Sequence, residues 1–206
     1  MNDRGAGKLT SSVGNGLAGR GAIERLRDIE EIRLLKHRYM RCIDMKRWEE
    51  VGDALTANAT FGTGTSAFGK PVEITGGSEI VAFLRARLGP AVLSEHTVSQ
   101  PEITVDGDEA EGVWAQREQI LATRHRMIIT GTGFCEERYV RGADGRWLIA
   151  RTSYARSYEA VMSLDDLPSF KLLAMPDGEE SVAARRDAGA RAGVPVVGPW
   201  MADAAS

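Results

Sequence analysis

The stretch IRLLKHRYMRCID, Ile32 to Asp44, decides how the rest of the chain is read. Ile29, Ile32, Leu35, Tyr39, Cys42 and Ile43 recur at three- and four-residue steps, whereas Arg33, Lys36, Arg38 and Arg41 mostly take the other side. That periodicity predicts an amphipathic helix with Tyr39 on its buried stripe. Asp44 follows the stripe at a helix C-terminus, where the macrodipole disfavours a carboxylate. Two explanations stand for it. Asp44 caps a second helix over Met45 to Leu55, on which Trp48, Val51 and Leu55 fall at helical spacing, or it is held by a partner and does chemistry. Tyr39 is either a core tyrosine with a satisfied hydroxyl or a phenol that donates to a ligand.

Upstream of this helix, residues 1–21 are rich in Gly, Ser and Asn and read as a flexible leader. Downstream, Ala59 to Phe61 is a short strand, Gly62 to Gly69 a loop or wide hairpin, and Pro71 to Thr75 a second extended segment. Ser78 opens a third helix that Gly89-Pro90 stops. From Val92 the pattern changes to alternation: Val92 to Val98, Glu102 to Val105, Ala110 to Thr123, Met127 to Arg141 and Arg146 to Tyr158. Asp106-Gly107-Asp108 and Ala143-Asp144-Gly145 supply hairpin turns. Helices first and long antiparallel strands after predict an α+β domain over residues 22–162, with a curved, mainly antiparallel sheet wrapped around the helices. Residues 163–206 form an arm or tail, in which Leu164 to Met175 could make a short closing helix.

A chain of 206 residues carries one sizeable core without metal or disulfide staples. Its net charge of -3 and scattered basic residues argue against nucleic acid or an anionic membrane as partner and favour a small molecule or another protein. Cys42 and Cys135 fit neither a disulfide framework nor a thiolate cluster and read as reduced core residues of a soluble, cytoplasmic protein. No apolar run reaches membrane-spanning length. His37, His96 and His125 lack metal-like spacing, so no metal is expected.

Strand alternation indicates which polar residues face inward. His96 shares a face with Val92, Ser94 and Val98; Trp114, Gln116, Glu118 and Ile120 share another, a mixture suited to a pocket wall or an oligomer contact. In the last strand Leu148, Thr152, Tyr154, Arg156 and Tyr158 are grouped together. His96 as base, Asp44 as its orienting carboxylate, Tyr39 as phenol donor and Arg156 as cation form a set suited to proton abstraction beside a carbonyl or a leaving group. Neither a Ser nor a Cys nucleophile has an obvious His companion.

The succession Ile29-Glu-Glu-Ile32, Lys36 to Asp44, Trp48, His96 ahead of Pro101 to Asp106, Gly112-Val-Trp114 and Thr152 to Glu159 resembles the SnoaL-like branch of the nuclear transport factor 2-like superfamily. Among its members the likeness is greatest to bile-acid 7α-dehydratase, with scytalone dehydratase and hexachlorocyclohexane dehydrochlorinase more distant. The resemblance implies a cone-shaped α+β barrel around an apolar pocket, in dimers or trimers, with no cofactor. It places the dehydratase tyrosine on Tyr39, the aspartate on Asp44, the catalytic histidine on His96, the arginine on Arg156 and the pocket carboxylate on Glu118, where the bile-acid enzyme has Asp. Trp114, Gln116, Tyr154 and Phe61 complete the expected substrate-binding set.

The function expected is a cofactor-independent lyase or isomerase acting on a hydrophobic, ring-containing hydroxylated compound such as a steroid or a lignin-derived diaryl. Loss of water or release of formaldehyde are the two forms considered, in a homo-oligomer with a trimer favoured. The alternatives are a non-catalytic small subunit of an aromatic-ring-hydroxylating dioxygenase and a simple binder of apolar ligands.

Overall fold

The computed structural model describes residues 21–64 and 71–174. The leader over residues 1–20, most of the segment before Pro71 and the tail from residue 175 lie outside the described residues. The elements run α1 (Ala22–Asp44), α2 (Trp48–Asp53), β1 (Leu55–Gly64), β2 (Val72–Thr75), α3 (Gly77–Arg87), β3 (Val92–Asp106), β4 (Glu109–Ala122), β5 (Met127–Arg141) and β6 (Trp147–Ser163). Helices precede the long strands, as the two hydrophobic periods require.

The six strands make one sheet in the order β2-β1-β6-β5-β4-β3. All neighbours are antiparallel except β1 and β6, which run parallel. The sheet is therefore mixed and open, with β2 and β3 at its two edges, and does not close into a barrel. Its registers slip at Leu55/Thr60, Ser99/Glu102, Thr132/Gly133 and Arg138/Tyr139. The slips in β3 and β6 each insert one extra residue, a bulge that bends the strand and raises the local twist, so the long strands curve around the helices; the Leu55/Thr60 slip is a longer break in the β1–β6 pairing.

Several boundaries differ from the sequence expectation. The two strands expected between Val92 and Val105 are one, β3, in which Gln100 takes a positive φ of 51° and lets the ladder resume beyond Pro101. The second helix is shorter than expected, Trp48–Asp53, with Arg47 and not Asp44 as its N-cap residue. Leu164 starts only a single 3-10 turn, Leu164–Asp166, and Phe170, Leu172 and Leu173 stay exposed; no closing helix forms among the described residues.

The core lies between α1, α3 and the inner sheet face, where Ile32, Val51, Ile80, Tyr139 and Ile149 are wholly buried. Lys36 is the main departure from the helical wheel. It is 0% exposed and belongs to the inner side of α1, its ammonium 2.5 Å from Glu137 Oε1. Burial works against the charged amine, but Glu137 and Cys135 together outweigh it and hold the Lys36 pKa above its ordinary value. Glu137 Oε1 also accepts from Thr152 Oγ1 (2.7 Å), and Glu137 Oε2 accepts from the Tyr139 hydroxyl, which in turn accepts from Trp114 Nε1 (2.9 Å).

Candidate active site

A cavity of about 70 Å³ lies between the α1–α3 layer and the sheet, walled by Met40, Ile43, Leu84, Leu88 and Ile120 on its apolar side. Exposure falls along it: Arg87 and the half-buried Phe61 and Phe83 mark its mouth, and Tyr39 and Cys135, both nearly fully buried, its floor. Seven residues singled out from the sequence line it: Tyr39, Phe61, His96, Gln116, Glu118, Tyr154 and Arg156. Asp44 stands behind His96. Trp114 does not reach the cavity, because its indole is fully buried one layer deeper and committed to Tyr139.

Asp44 is the last residue of α1, facing β3. Its Oδ2 accepts the His96 backbone N–H (2.8 Å), and its Oδ1 lies 2.6 Å from His96 Nδ1 and 2.9 Å from Ser94 Oγ. Three donors thus hold a carboxylate that the helix terminus alone would not favour. An acceptor at Nδ1 fixes the imidazole as the Nδ1–H tautomer and leaves Nε2 on the cavity side, 3.8 Å from Glu118 Oε2. The dyad sits at the junction of helix and sheet. Geometry of this kind makes Nε2 a proton acceptor with a charge-stabilising partner behind it.

Glu118 is 5% exposed and faces Arg156, whose Nε and Nη2 lie 2.8 and 2.5 Å from Glu118 Oε1. Arg156 Nη1 donates to Thr63 Oγ1 (3.2 Å) and its Nε lies 3.2 Å from Glu159 Oε1. The guanidinium stacks over the Tyr154 ring, 4.5 Å from its centre. Arg156 is thereby engaged by the protein itself, and its first effect is to hold Glu118 in front of His96.

Two β-bulges correct the expected face of β6. Cys135 pairs with Tyr154 and Gly133 with Arg156, but Thr132 pairs with Tyr158, so Ser157 is the extra residue; Tyr158 turns outward, 53% exposed, and Glu159 turns inward. Ala150 is the extra residue in the earlier slip, which puts the fully buried Ile149, not Leu148, on the side of Thr152 and Tyr154. Glu159, Thr63 and Cys135 are site residues that alternation did not single out. Cys135 Sγ donates to Gln116 Oε1 (2.8 Å), and burial raises its pKa to about 11, so it remains a thiol.

The hydroxyls of Tyr39 and Tyr154 are buried and have no hydrogen-bond partner among the described residues. Burial is the main cause that pushes both phenols well above their ordinary range, so both stay protonated and able to donate. Among the described residues, no three His, Cys, Asp or Glu side chains are grouped so as to hold a metal ion.

Helices and an open curved sheet around one cavity, with an imidazole–carboxylate pair at its wall, define an α+β protein with a candidate acid–base site. The chain belongs to the SnoaL-like domain family, whose model matches residues 24–153. Among solved structures it is similar to the Kfla4162 protein of Kribbella flavida (24% identity, TM-score 0.59, 66% of this chain and 95% of that one). It is also similar to a protein of Novosphingobium aromaticivorans named after scytalone dehydratase (15% identity, TM-score 0.61, 75% and 95% of the two chains). A third is the hexachlorocyclohexane dehydrochlorinase LinA-type3 of Novosphingobium barchaimii (12% identity, TM-score 0.61, 75% and 99%). At these identities the likeness establishes the shared fold alone. No helix among the described residues is long and apolar enough to cross a membrane.

Proposed function

We propose that this protein is a cofactor-independent lyase that removes a proton and a leaving group from a hydrophobic, ring-containing hydroxylated compound. The observation that carries the reading is the Asp44–His96 pair, 2.6 Å apart, at the wall of a cavity that also receives two phenols without a hydrogen-bond partner among the described residues. His96 Nε2 takes the proton, and Asp44 orients the ring and balances the imidazolium charge that develops. Tyr39 and Tyr154 donate to the substrate oxygen on which negative charge accumulates, in a site where water is largely excluded. The imidazolium so formed returns the proton to the departing group, and Glu118, fixed by Arg156 and 3.8 Å from His96 Nε2, adds negative charge that stabilises it.

The two dehydratase- and dehydrochlorinase-named relatives share this fold, and elimination is the simplest reaction of such a set. The size of the cavity bears on the substrate. About 70 Å³ is less than the roughly 150 Å³ that holds a benzene in an engineered apolar cavity, so a ring enters only if the Phe61–Phe83 end opens. A single reacting ring in the cavity, with any second ring of a diaryl or steroid left at the mouth beside Arg87, is the arrangement this favours. The outer sheet face carries exposed Val113, Phe134, Tyr158 and Met162, an apolar surface that suits a homo-oligomer, a trimer in our reading, of a cytoplasmic protein.

The test is a panel of hydroxylated monocyclic, diaryl and steroid alcohols incubated with purified protein and followed for a new conjugated absorbance and for formaldehyde. Turnover by the wild type that His96→Gln abolishes is the expected result. Tight ligand binding with no product would replace the enzyme by a binder, and purification only with a larger iron-containing chain would point to the dioxygenase subunit.

A further inference from the structure

Lys46 is the residue of the site region least accounted for by the fold. It follows the C-cap of α1 and takes a left-handed backbone (φ 59°), a position where helices usually place Gly or Asn. From there its side chain lies along the Trp48 ring, 6.0 Å from the ring centre, and its Nζ reaches Ser94 Oγ at 2.9 Å. Ser94 Oγ is itself 2.9 Å from Asp44 Oδ1. An ammonium has only donors and a hydroxyl has one proton. While Lys46 is charged, Ser94 must therefore accept from Lys46 and give its single proton to Asp44.

We propose that Lys46 is a positioning residue of the Asp44–His96 pair, acting through the proton of Ser94. The inference rests on the reading of that pair as the reacting base. Lys46 fixes one of the three donors on Asp44, and its charge faces the carboxylate that the negative end of α1 opposes. The titratable groups around it are Asp44 from α1 and His96 from β3, while on the α2 side Arg47 is engaged with Glu50 at 2.9 Å. Burial lowers the Lys46 pKa to about 8, against a smaller opposing effect of Asp44. Once neutral, the amine accepts a hydrogen bond, Ser94 is free to turn its proton towards Lys46, and Asp44 loses that donor. The device couples the orientation of the base to mildly alkaline pH.

The experiment needs no substrate. The His96 Nδ1 proton, bonded to Asp44, gives a low-field proton magnetic resonance signal that is assigned by its absence in His96→Gln. Between pH 6.5 and 9.5 the wild-type signal is expected to shift or broaden with a midpoint near 8. Lys46→Met removes that step, Lys46→Arg moves it out of the range, and Ser94→Ala removes it while Lys46 still titrates. Melting curves of all three variants show whether they are folded, and Lys46→Arg retains the charge if Lys46→Met does not fold. A step near pH 8 that persists unchanged in Lys46→Met, or no step in the wild type, overturns the proposal. Its failure is separable from that of the lyase reading, which falls if the wild type gives no product or if His96→Gln still turns over substrate.

Discussion

Two polar groups of side chains lie under the same sheet face, four residues apart along β4 and β6, and they are built to opposite rules. In the one formed by Lys36, Glu137, Tyr139, Thr152 and Trp114, each polar side chain has a protein partner and none is exposed beyond a few per cent. In the other, formed by Asp44, His96, Glu118 and Arg156, the charged groups are tied together while two phenols facing the same cavity find no partner among the described residues. A buried donor left open costs about 1–3 kcal/mol. The first cluster is a strut between helix and sheet, and the second holds donors in reserve for a ligand. Burial alone does not distinguish structure from chemistry; satisfaction does.

The contrast is broken most severely by His96→Gln, which is expected to lower turnover by roughly 10²- to 10⁴-fold, the range of a lost general base. Its melting temperature should stay within a few degrees of wild type; a variant that keeps turnover removes the base from the mechanism. Lys36→Met reverses the pattern. Removing one partner of a fully buried pair typically costs about 3–5 kcal/mol, and for a domain of this size each kcal/mol lowers the melting temperature by roughly 2–4 °C. Calorimetry should show that loss, and should show part of it recovered in Lys36→Met with Glu137→Gln, where no charge is left unpaired and the amide oxygen still accepts from a neighbouring hydroxyl.

A finer comparison uses two tyrosines. Tyr139→Phe deprives both Trp114 and Glu137 of a partner and should cost about 1–3 kcal/mol in denaturant unfolding. Tyr39→Phe removes a hydroxyl with no partner among the described residues and should be neutral or slightly stabilising while it weakens catalysis. Equal losses in the two would erase the difference between the clusters.

The smallest effect is one of pH. Cys135 has a folded pKa of about 11 against an ordinary 9.0, so the folded state holds its proton longer than the unfolded state. Its contribution to stability is complete below pH 9 and is lost as pH rises through about 11. Urea midpoints measured across that window should fall less in Cys135→Ala than in wild type. Lys46 works with the opposite sign, since its pKa is lowered to about 8, and the difference between the two proteins cancels it.

The order of helices and strands was legible because hydrophobic periods of about 3.6 and 2 residues are local properties. The cavity-lining faces of β3 and β4 followed from the same alternation, and Tyr39 from the helical stripe. What escaped depended on partners distant in sequence. Lys36 looked like a surface lysine because its counterion stands 101 residues away. Glu159 was hidden by the bulge at Ser157, since one extra residue exchanges the faces of a strand and nothing in its immediate neighbourhood announces it. Gly131 and Gly133 carried no signal at all, yet a Cβ on Gly131 would lie 2.9 Å from Glu118 Oε1, and one on Gly133 would lie 2.1 Å from the Ala155 carbonyl. They are glycine because β6 and the Glu118–Arg156 pair occupy that space.

The parallel seam between β1 and β6 carries a consequence for biosynthesis. Thr63 on β1 meets Arg156 only through that seam, so an early segment of the nascent polypeptide waits for nearly the last one. A nascent chain whose β6 has not yet emerged from the ribosome displays α1, α2, α3 and β1 through β5, Asp44 and His96 among them, yet the lateral hydrogen-bonding groups of β1 and β5 that β6 covers are bare. Until translation passes that point the chain is exposed to strand-to-strand association with its neighbours, and completion of the pocket coincides with the sealing of that gap.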